Sequence, residues 1–283
     1  MATKTRLSAK PLTATIGSVI DGVDCARPLD AETATGIRQA LLDRGVVFLR
    51  ETDMDAGQLH DFVSHFGDPV HIDYFGKPGD DSFETPCQRD EIVTGSLTPS
   101  RRSTAVWHAD ISWIPHPPAI TALRAVEVPD VGGDTCWADM EAAFEGLSAP
   151  MKGMLEGLSA VHSMRPTVER DGMAGIEIVT GRKIDLIENI HPLVTTHPET
   201  GRKALFVSEC STLRIVELSA LESMQVLAAL FLHIRNPEYQ VRWRWQAGDI
   251  ALWDNRSTQH FAVPDYEQDR VMQRIELAGA RPA

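Results

Sequence analysis

Two segments far apart in the chain constrain its fold more than anything else in the sequence. One is Val106-Trp107-His108-Ala109-Asp110; the other runs from Trp253 through Asp254, Asn255 and Arg256 to His260. Side chains on a strand alternate between faces. His108 and Asp110 therefore project together, while Trp107 and Ala109 point the other way. An imidazole and a carboxylate so placed can grip one metal ion, and His260 would complete a set of two histidines and one carboxylate. That set leaves three sites of an octahedron open and is the one used by non-haem Fe(II) oxygenases. By itself, His-x-Asp equally suits a surface strand with two polar residues, so the rest of the chain has to decide.

The chain has 283 residues and is 43% apolar, which fits one large or two small globular domains. Its formal net charge of −13 argues against a nucleic-acid partner and against an anionic membrane surface. An anionic small substrate stays open, because a site can be locally basic in an acidic protein. Cys25, Cys87, Cys136 and Cys210 are dispersed, with no Cys-x-x-Cys pair, so neither a zinc knuckle nor a disulfide framework is expected. Residues 1–10 are polar and basic with no apolar stretch behind them; they read as a flexible start and not as a secretory signal. No run approaches the roughly 18 apolar residues a membrane helix needs. The expected location is the cytoplasm, and the expected assembly a homo-oligomer, dimer or tetramer.

Along the chain, Leu12 to Ile16 alternates apolar with polar like a strand. Asp30 is the N-cap of a helix ending at Gly45, and Val46 to Leu49 is a buried strand. A second helix spans about 55–66. Residues 75–103 and 165–189 are polar and irregular, with only Ile92-Val93 strand-like in the first; long segments of this kind inside a domain suit lids over a site. Thr121 to Val128 reads as a strand followed by a Pro129–Gly133 turn, then helices near 140–147 and 150–158. A hairpin is expected across His197-Pro198-Glu199-Thr200-Gly201. Ser219 and Glu222 form a capping box, and strands follow at 241–245, 250–253 and 270–277. No repeat or linker interrupts this order, so one α+β domain over 1–283 with a sheet core is expected.

In the last strand, Arg270 and Arg274 fall on one face with Met272 between them. Two arginines on an inner face are costly unless they meet anions, and the guanidinium fork matches a carboxylate. The alternative is an exposed edge strand with solvated arginines.

Taken together, several motifs resemble the taurine dioxygenase/TfdA family of Fe(II)- and 2-oxoglutarate-dependent dioxygenases, over nearly the whole chain from about Pro11. They are Trp107 to Asp110, Pro117-Pro118-Ala119, Gly132-Gly133-Asp134-Thr135, His191 to Val194 and His197 to Arg202. Gln240 to Trp245, Trp253 to His260 and the Arg270/Arg274 strand complete the set. The resemblance implies a double-stranded β-helix, or jelly roll, flanked by helices. It implies His108, Asp110 and His260 as iron ligands. Arg270 and Thr135 would hold the distal carboxylate of 2-oxoglutarate, and Arg274 the substrate's anionic group. It also places a substrate-contacting histidine near His71, while Trp113 and Met164 are candidates to line an apolar pocket. With Fe(II), 2-oxoglutarate and O2, the implied activity hydroxylates a C–H of a small anionic molecule: an alkyl sulfonate, sulfate ester or aryloxyalkanoate. Succinate and CO2 are the expected coproducts. Taurine itself is the alternative within the family. Taurine-specific members carry an asparagine just before the ligand strand, and Arg101 to Val106 has none. Two other classes are weighed. A metal-dependent hydrolase would leave Arg270 and Thr135 unused, and a non-catalytic anion-binding barrel would leave the metal set unexplained. His191 and His197, in His-Pro turns, are expected to be structural, and Trp243 and Trp245 to be core.

Overall fold

The computed structural model describes residues 7–72, 84–97, 105–170 and 187–283. Its larger sheet runs β1 (Ser8–Pro11), β2 (Ser18–Asp21), β3 (Val46–Leu49), β15 (Ile250–Asp254), β7 (Ile120–Glu127), β17 (Arg270–Leu277), β4 (Pro69–Ile72) and β5 (Glu84–Pro86). A further strand, β6 (Val93–Leu97), pairs with the first half of β17. A smaller sheet holds β14 (Gln240–Trp243), β8 (Thr135–Asp139) and β16 (Thr258–Ala262). Successive strands change sheets: β7 then β8, and later β14, β15, β16 and β17 in turn. Winding of this kind makes the expected double-stranded β-helix.

The period-two rule sorts the side chains of β7. Leu123 and Ala125 enter a core shared by the two sheets, while Ile120 and Ala122 face the helices. The shared core is aromatic. Phe48 stacks on Trp243 at 4.1 Å and meets Trp137 edge-on at 5.2 Å. On the outer face of the larger sheet lie α1 (Ala31–Arg44) and α2 (Ala56–Val63), which bury Ile37, Leu41, Leu59 and Phe62 against Val47, Leu49, Leu252 and Ile275. Each such side chain contributes about 1.5–3 kcal/mol by leaving water. Asp30 caps α1 by accepting from the Thr33 N–H, and Gly45 ends it at φ 68°. A Cβ at Gly45 would collide with Thr258 of β16, so only glycine lets this helix end approach the smaller sheet.

A second apolar cluster lies behind the smaller sheet. There α3 (Met140–Glu145), α4 (Ala149–Leu155) and the long helix α6 (Ala220–Ile234) pack together with the sheet β10 (Glu188–Pro192), β9 (Ser159–Ser163), β13 (Thr212–Ile215). The capping box of α6 is present as expected, with Ser219 and Glu222 bonded reciprocally. The hairpin at 197–201 joins β11 (Val194–Thr196) to β12 (Lys203–Leu205).

Some local expectations change. The first strand is Ser8–Pro11, so residues 8–10 are paired to β2 and not a loose start, and Leu12 to Ile16 is a bend. The 75–103 segment contains β5 and β6, and the 165–189 segment opens with a short helix, α5 (Arg165–Arg170), and closes into β10. The remainder of both proposed lids, 75–83, 98–103 and 171–186, lies outside the described residues, as do residues 1–6.

Candidate metal and cosubstrate site

His108 and His260 form a single antiparallel bridge, with N–H to carbonyl distances of 3.0 and 2.8 Å. The strand expected over 106–110 is reduced to that bridge. After Asp110 the chain turns at Ile111, whose φ is 45°. A β-branched residue in the left-handed region is strained, and strain of this kind gathers at functional sites. Here it turns the backbone away immediately after the proposed carboxylate ligand.

The ligand-capable atoms of His108, Asp110 and His260 lie within 4.8 Å of one another, and all three residues are buried. Nε2 of His260 is 3.5 Å, and Nε2 of His108 4.0 Å, from Oδ1 of Asp110. Metal–ligand bonds of about 2.1 Å put adjacent donors about 3 Å apart, so a small adjustment closes the three around one ion. Nδ1 of His108 lies 2.7 Å from the Val106 carbonyl oxygen. A carbonyl only accepts, so Nδ1 carries the hydrogen and the lone pair sits on Nε2. Nδ1 of His260 is buried without a hydrogen-bond partner among the described residues. Burial, reinforced by His108, holds His260 well below the usual histidine range, so it is a neutral imidazole. Burial pushes Asp110 upward, but the Arg274 guanidinium beside it outweighs burial, and its carboxyl stays well below the usual range. Two imidazole nitrogens and one ionised oxygen suit a divalent first-row metal.

Behind Asp110 is a relay of hydrogen bonds. Trp253 Nε1 donates to Asn255 Oδ1 at 3.0 Å, which fixes the amide's orientation. Asn255 Nδ2 donates to Thr121 Oγ1 at 2.8 Å, and Thr121 Oγ1 donates to Asp110 Oδ2 at 2.8 Å. This holds one carboxylate oxygen and turns the other, Oδ1, toward the two imidazoles. Neither Thr121 nor Asn255 is singled out by the sequence reading. The available signal is weak: a threonine at an inward position of β7.

Arg270 and Thr135 come together as expected. Arg270 is 2% exposed, and its Nη2 donates to Thr135 Oγ1 at 3.1 Å. Among the described residues its Nε has no hydrogen-bond partner and no carboxylate lies within ion-pair distance of it, while the guanidinium shares a side-chain hydrogen bond with Tyr266. Burial pulls its guanidinium below the usual arginine range, against the pull of Tyr266 and Asp134. A buried cation in this state needs an anionic ligand. Trp245 is more than core: its Nε1 donates to Thr135 Oγ1 at 3.0 Å. Two N–H donors thus fill the lone pairs of that hydroxyl, and its own hydrogen is left to be donated outward, as a carboxylate ligand requires. The turn before Thr135 is built by Gly132 and Gly133, at φ 82° and 70°. Gly133 N–H donates to Asp265 Oδ1 at 2.9 Å, and a Cβ on Gly132 would strike the Asp265 backbone.

Arg274 shares the inner face of β17 with Arg270, but its immediate partners are acidic. Its Nη2 is 2.6 Å from Asp110 Oδ1, and it is gripped by Glu276, which continues the same period-two series. Trp113 and Met164 are buried in one apolar cluster with Val70, Ile72, Ile111 and Ile114, directly after the ligand segment. His71 is a correction. In the register of β4, Val70 is opposite Glu276 and so shares its face. His71 therefore points the other way, with its Nε2 3.7 Å from Glu91. His191 and His197 are internal, bonded to the Ile114 carbonyl and to Asp254, as expected of structural groups.

A two-sheet roll with two histidines and one carboxylate converging inside it, beside a buried arginine awaiting an anion, defines a metal-dependent oxygenase that takes a carboxylate cosubstrate. The sequence profile of the taurine catabolism dioxygenase TauD, TfdA family matches residues 8–275. An alkylsulfatase from Acinetobacter baylyi is 36% identical over 97% of this chain and 86% of its own length. An alpha-ketoglutarate-dependent sulfate ester dioxygenase from Pseudomonas putida is 34% identical over 98% of this chain and 91% of its own. A crystal structure of a taurine dioxygenase from Burkholderia xenovorans superimposes with a TM-score of 0.80 at 34% identity, covering 98% of this chain and 91% of that one. The chain belongs to the TauD/TfdA family. It is a 2-oxoglutarate-dependent dioxygenase whose cofactors are Fe(II), 2-oxoglutarate and O2.

Proposed function

We propose that the prime substrate is a monoanion with an apolar remainder, of the alkyl sulfate ester or alkyl sulfonate type. On this reading His108, Asp110 and His260 hold the metal, and Arg270 and Thr135 hold the far carboxylate of 2-oxoglutarate. Arg274 meets the substrate's anionic group. The carrying observation is the Arg270 guanidinium, 2% exposed and with no carboxylate partner among the described residues, four positions from a second arginine beside the metal set. Trp113, Met164, Val70 and Ile72 would cover the substrate's apolar part and exclude water. The alkylsulfatase and sulfate ester dioxygenase activities of the Acinetobacter and Pseudomonas relatives support a sulfate ester.

When bound, the metal with 2-oxoglutarate and O2 supplies the oxidation that converts a substrate C–H into C–OH, with succinate and CO2 released. The residues do the rest. Val106 fixes the tautomer of His108 so that its Nε2 can ligate. Thr121 holds Asp110 in place. Thr135 and Arg270 anchor the cosubstrate, and Arg274 fixes which substrate carbon is presented, as positioning requires. If that carbon carries a sulfate oxygen, its hydroxylation leaves one carbon bonded to two oxygens. The C–O bond to sulfate then breaks with loss of the hydroxyl proton, giving an aldehyde and sulfate. Succinate formation from 2-oxoglutarate, with Fe(II) and ascorbate, across alkyl sulfates, alkyl sulfonates, aryloxyalkanoates and taurine tests the reading. Alkyl sulfates or sulfonates should be turned over fastest; taurine in first place would refute it. We further propose a cytoplasmic location, where the four buried cysteines stay thiols. Assembly into a dimer or tetramer is proposed through the exposed Leu221, Met224 and Leu232 of α6.

A further inference from the structure

Asp110 and Glu276 share one guanidinium. Arg274 Nη2 lies 2.6 Å from Asp110 Oδ1, while Nε and Nη2 lie 3.0 and 2.8 Å from Glu276 Oε1. Both carboxylates are buried, at 3% and 7% exposure. The Arg274 guanidinium carbon also lies 5.9 Å from the centre of the Trp253 ring. The register supports the arrangement. Glu276 pairs with Thr121 across β7 and β17, so the Arg274 clamp and the Asp110 relay stand side by side on one sheet face.

The contested atom is Oδ1 of Asp110. It faces both ligand histidines, at 3.5 and 4.0 Å, and it is the oxygen that Arg274 holds. A metal ion and a guanidinium cannot both be served fully by that oxygen, since the ion would sit about 2.1 Å from it and the two cations repel at such range. Glu276 gives Arg274 a second charged partner that is already in contact. It needs no swing of the side chain to use it.

We propose that Glu276 is a positioning residue that lets Arg274 exchange roles: in the metal-free protein Arg274 neutralises Asp110, and metal loading leaves it to Glu276 and to the anionic group of the substrate. Metal and substrate anion then bind with positive coupling, and by linkage each tightens the other by the same factor. The anion half of this statement rests on the substrate reading given above; the metal half does not.

The experiment uses the full chain and Mn(II), which binds without turning over, titrated calorimetrically into wild type, Arg274→Gln, Glu276→Gln and the double variant. Arg274→Gln should bind Mn(II) about tenfold more tightly, within the usual range of site coupling. Glu276→Gln should weaken Mn(II) about tenfold when Arg274 is present and change it less than about twofold when Arg274 is absent, because contacting residues are non-additive. Equal factors in both backgrounds would reduce Glu276 to a distant charge and overturn the exchange. Hexyl sulfate supplies the second arm and needs no variant. Its binding to wild type should tighten about tenfold on adding Mn(II), and Mn(II) should tighten equally on adding hexyl sulfate. Hexyl sulfate that binds equally well with and without Mn(II) overturns the exchange while leaving the substrate reading intact. If hexyl sulfate fails to bind at all while the variant cycle is non-additive, the metal half stands and the substrate reading falls.

Discussion

Replacing Thr121 with valine isolates the hydrogen-bond relay behind the proposed metal set. Valine keeps the shape and loses the hydroxyl, which here makes two bonds of 2.8 Å: one donated to Asp110 Oδ2 and one accepted from Asn255 Nδ2. Thr121 is 0% exposed, so water does not replace either bond. Losing a donor to a buried charge costs about 1.5–3 kcal/mol, and stranding the Asn255 N–H about 1 kcal/mol more. Part of that loss appears as lowered stability. The rest appears as metal affinity, because Asp110 is freed to rotate its Oδ1 away from the histidines. Groups that hold a ligand in place typically contribute 10–100-fold in affinity. Thr121→Val should therefore melt lower than wild type and bind Mn(II) about 10–100-fold more weakly, while Thr121→Ser keeps most of both. Calorimetric Mn(II) titration beside thermal melts measures the two effects. A folded Thr121→Val protein with Mn(II) affinity within about twofold of wild type would refute the relay.

Arg270→Ala should weaken 2-oxoglutarate binding to the Mn(II) protein by about 2–5 kcal/mol, the scale for truncating one partner of a buried charge pair, and leave Mn(II) affinity unchanged; unchanged cosubstrate binding would move the role to Arg274. Trp245→Phe should weaken 2-oxoglutarate about tenfold, the worth of one hydrogen bond, since a freed lone pair on Thr135 lets its hydroxyl turn inward; a titration with no shift would return Trp245 to packing alone. Burial first, then His191, depresses His162 to about 3, and burial depresses His191 to about 4, from an ordinary 6.5. The unfolded chain takes up these protons first, so stability is fully present above pH 6.5 and is lost as pH falls from there toward 3. His162→Gln should flatten that part of a melting-temperature profile, and an unchanged slope would exclude His162 as a source of acid lability.

The metal set is legible in the sequence because its residue types are few and its spacing obeys the strand period. Arg270 is legible for the same reason. Glu276 obeys that period too, two positions beyond Arg274, yet one more charged residue near a strand end carries no signal until its partner is known. Thr121 and Asn255 are harder still, since a threonine in a strand and an asparagine in a turn are ordinary. Strand β8 escapes local pattern because Gly132-Gly133-Asp134 announces a turn and Met140 begins a helix, leaving only Thr135–Asp139 between. Its place is decided by pairing with β14 and β16, more than 100 residues away. His71 shows the reverse error: a position taken from the resemblance alone gives way to the pleat, which turns it from the site.

The placement of Arg274 also limits which carbon can be oxidised. Arg270 and Arg274 are four residues apart, about 13 Å along an extended strand, so the two anions proposed for them would be held at separate places. Arg274 reaches within 2.6 Å of Asp110, a member of the metal set. A substrate anion held there lies beside the metal, and the nearest C–H belongs to the carbon carrying the anionic group or to its neighbour. Carbons farther along an alkyl chain run out toward the cluster of Trp113 and Met164. Hydroxylation at the sulfate-bearing carbon ejects sulfate, whereas hydroxylation farther along does not. With hexyl sulfate, succinate and inorganic sulfate should therefore appear in equal amounts, and hexanal should be the organic product. Succinate formed with little sulfate, and a hydroxyhexyl sulfate recovered, would show that the anion is held away from the metal and that Arg274 does not orient the substrate.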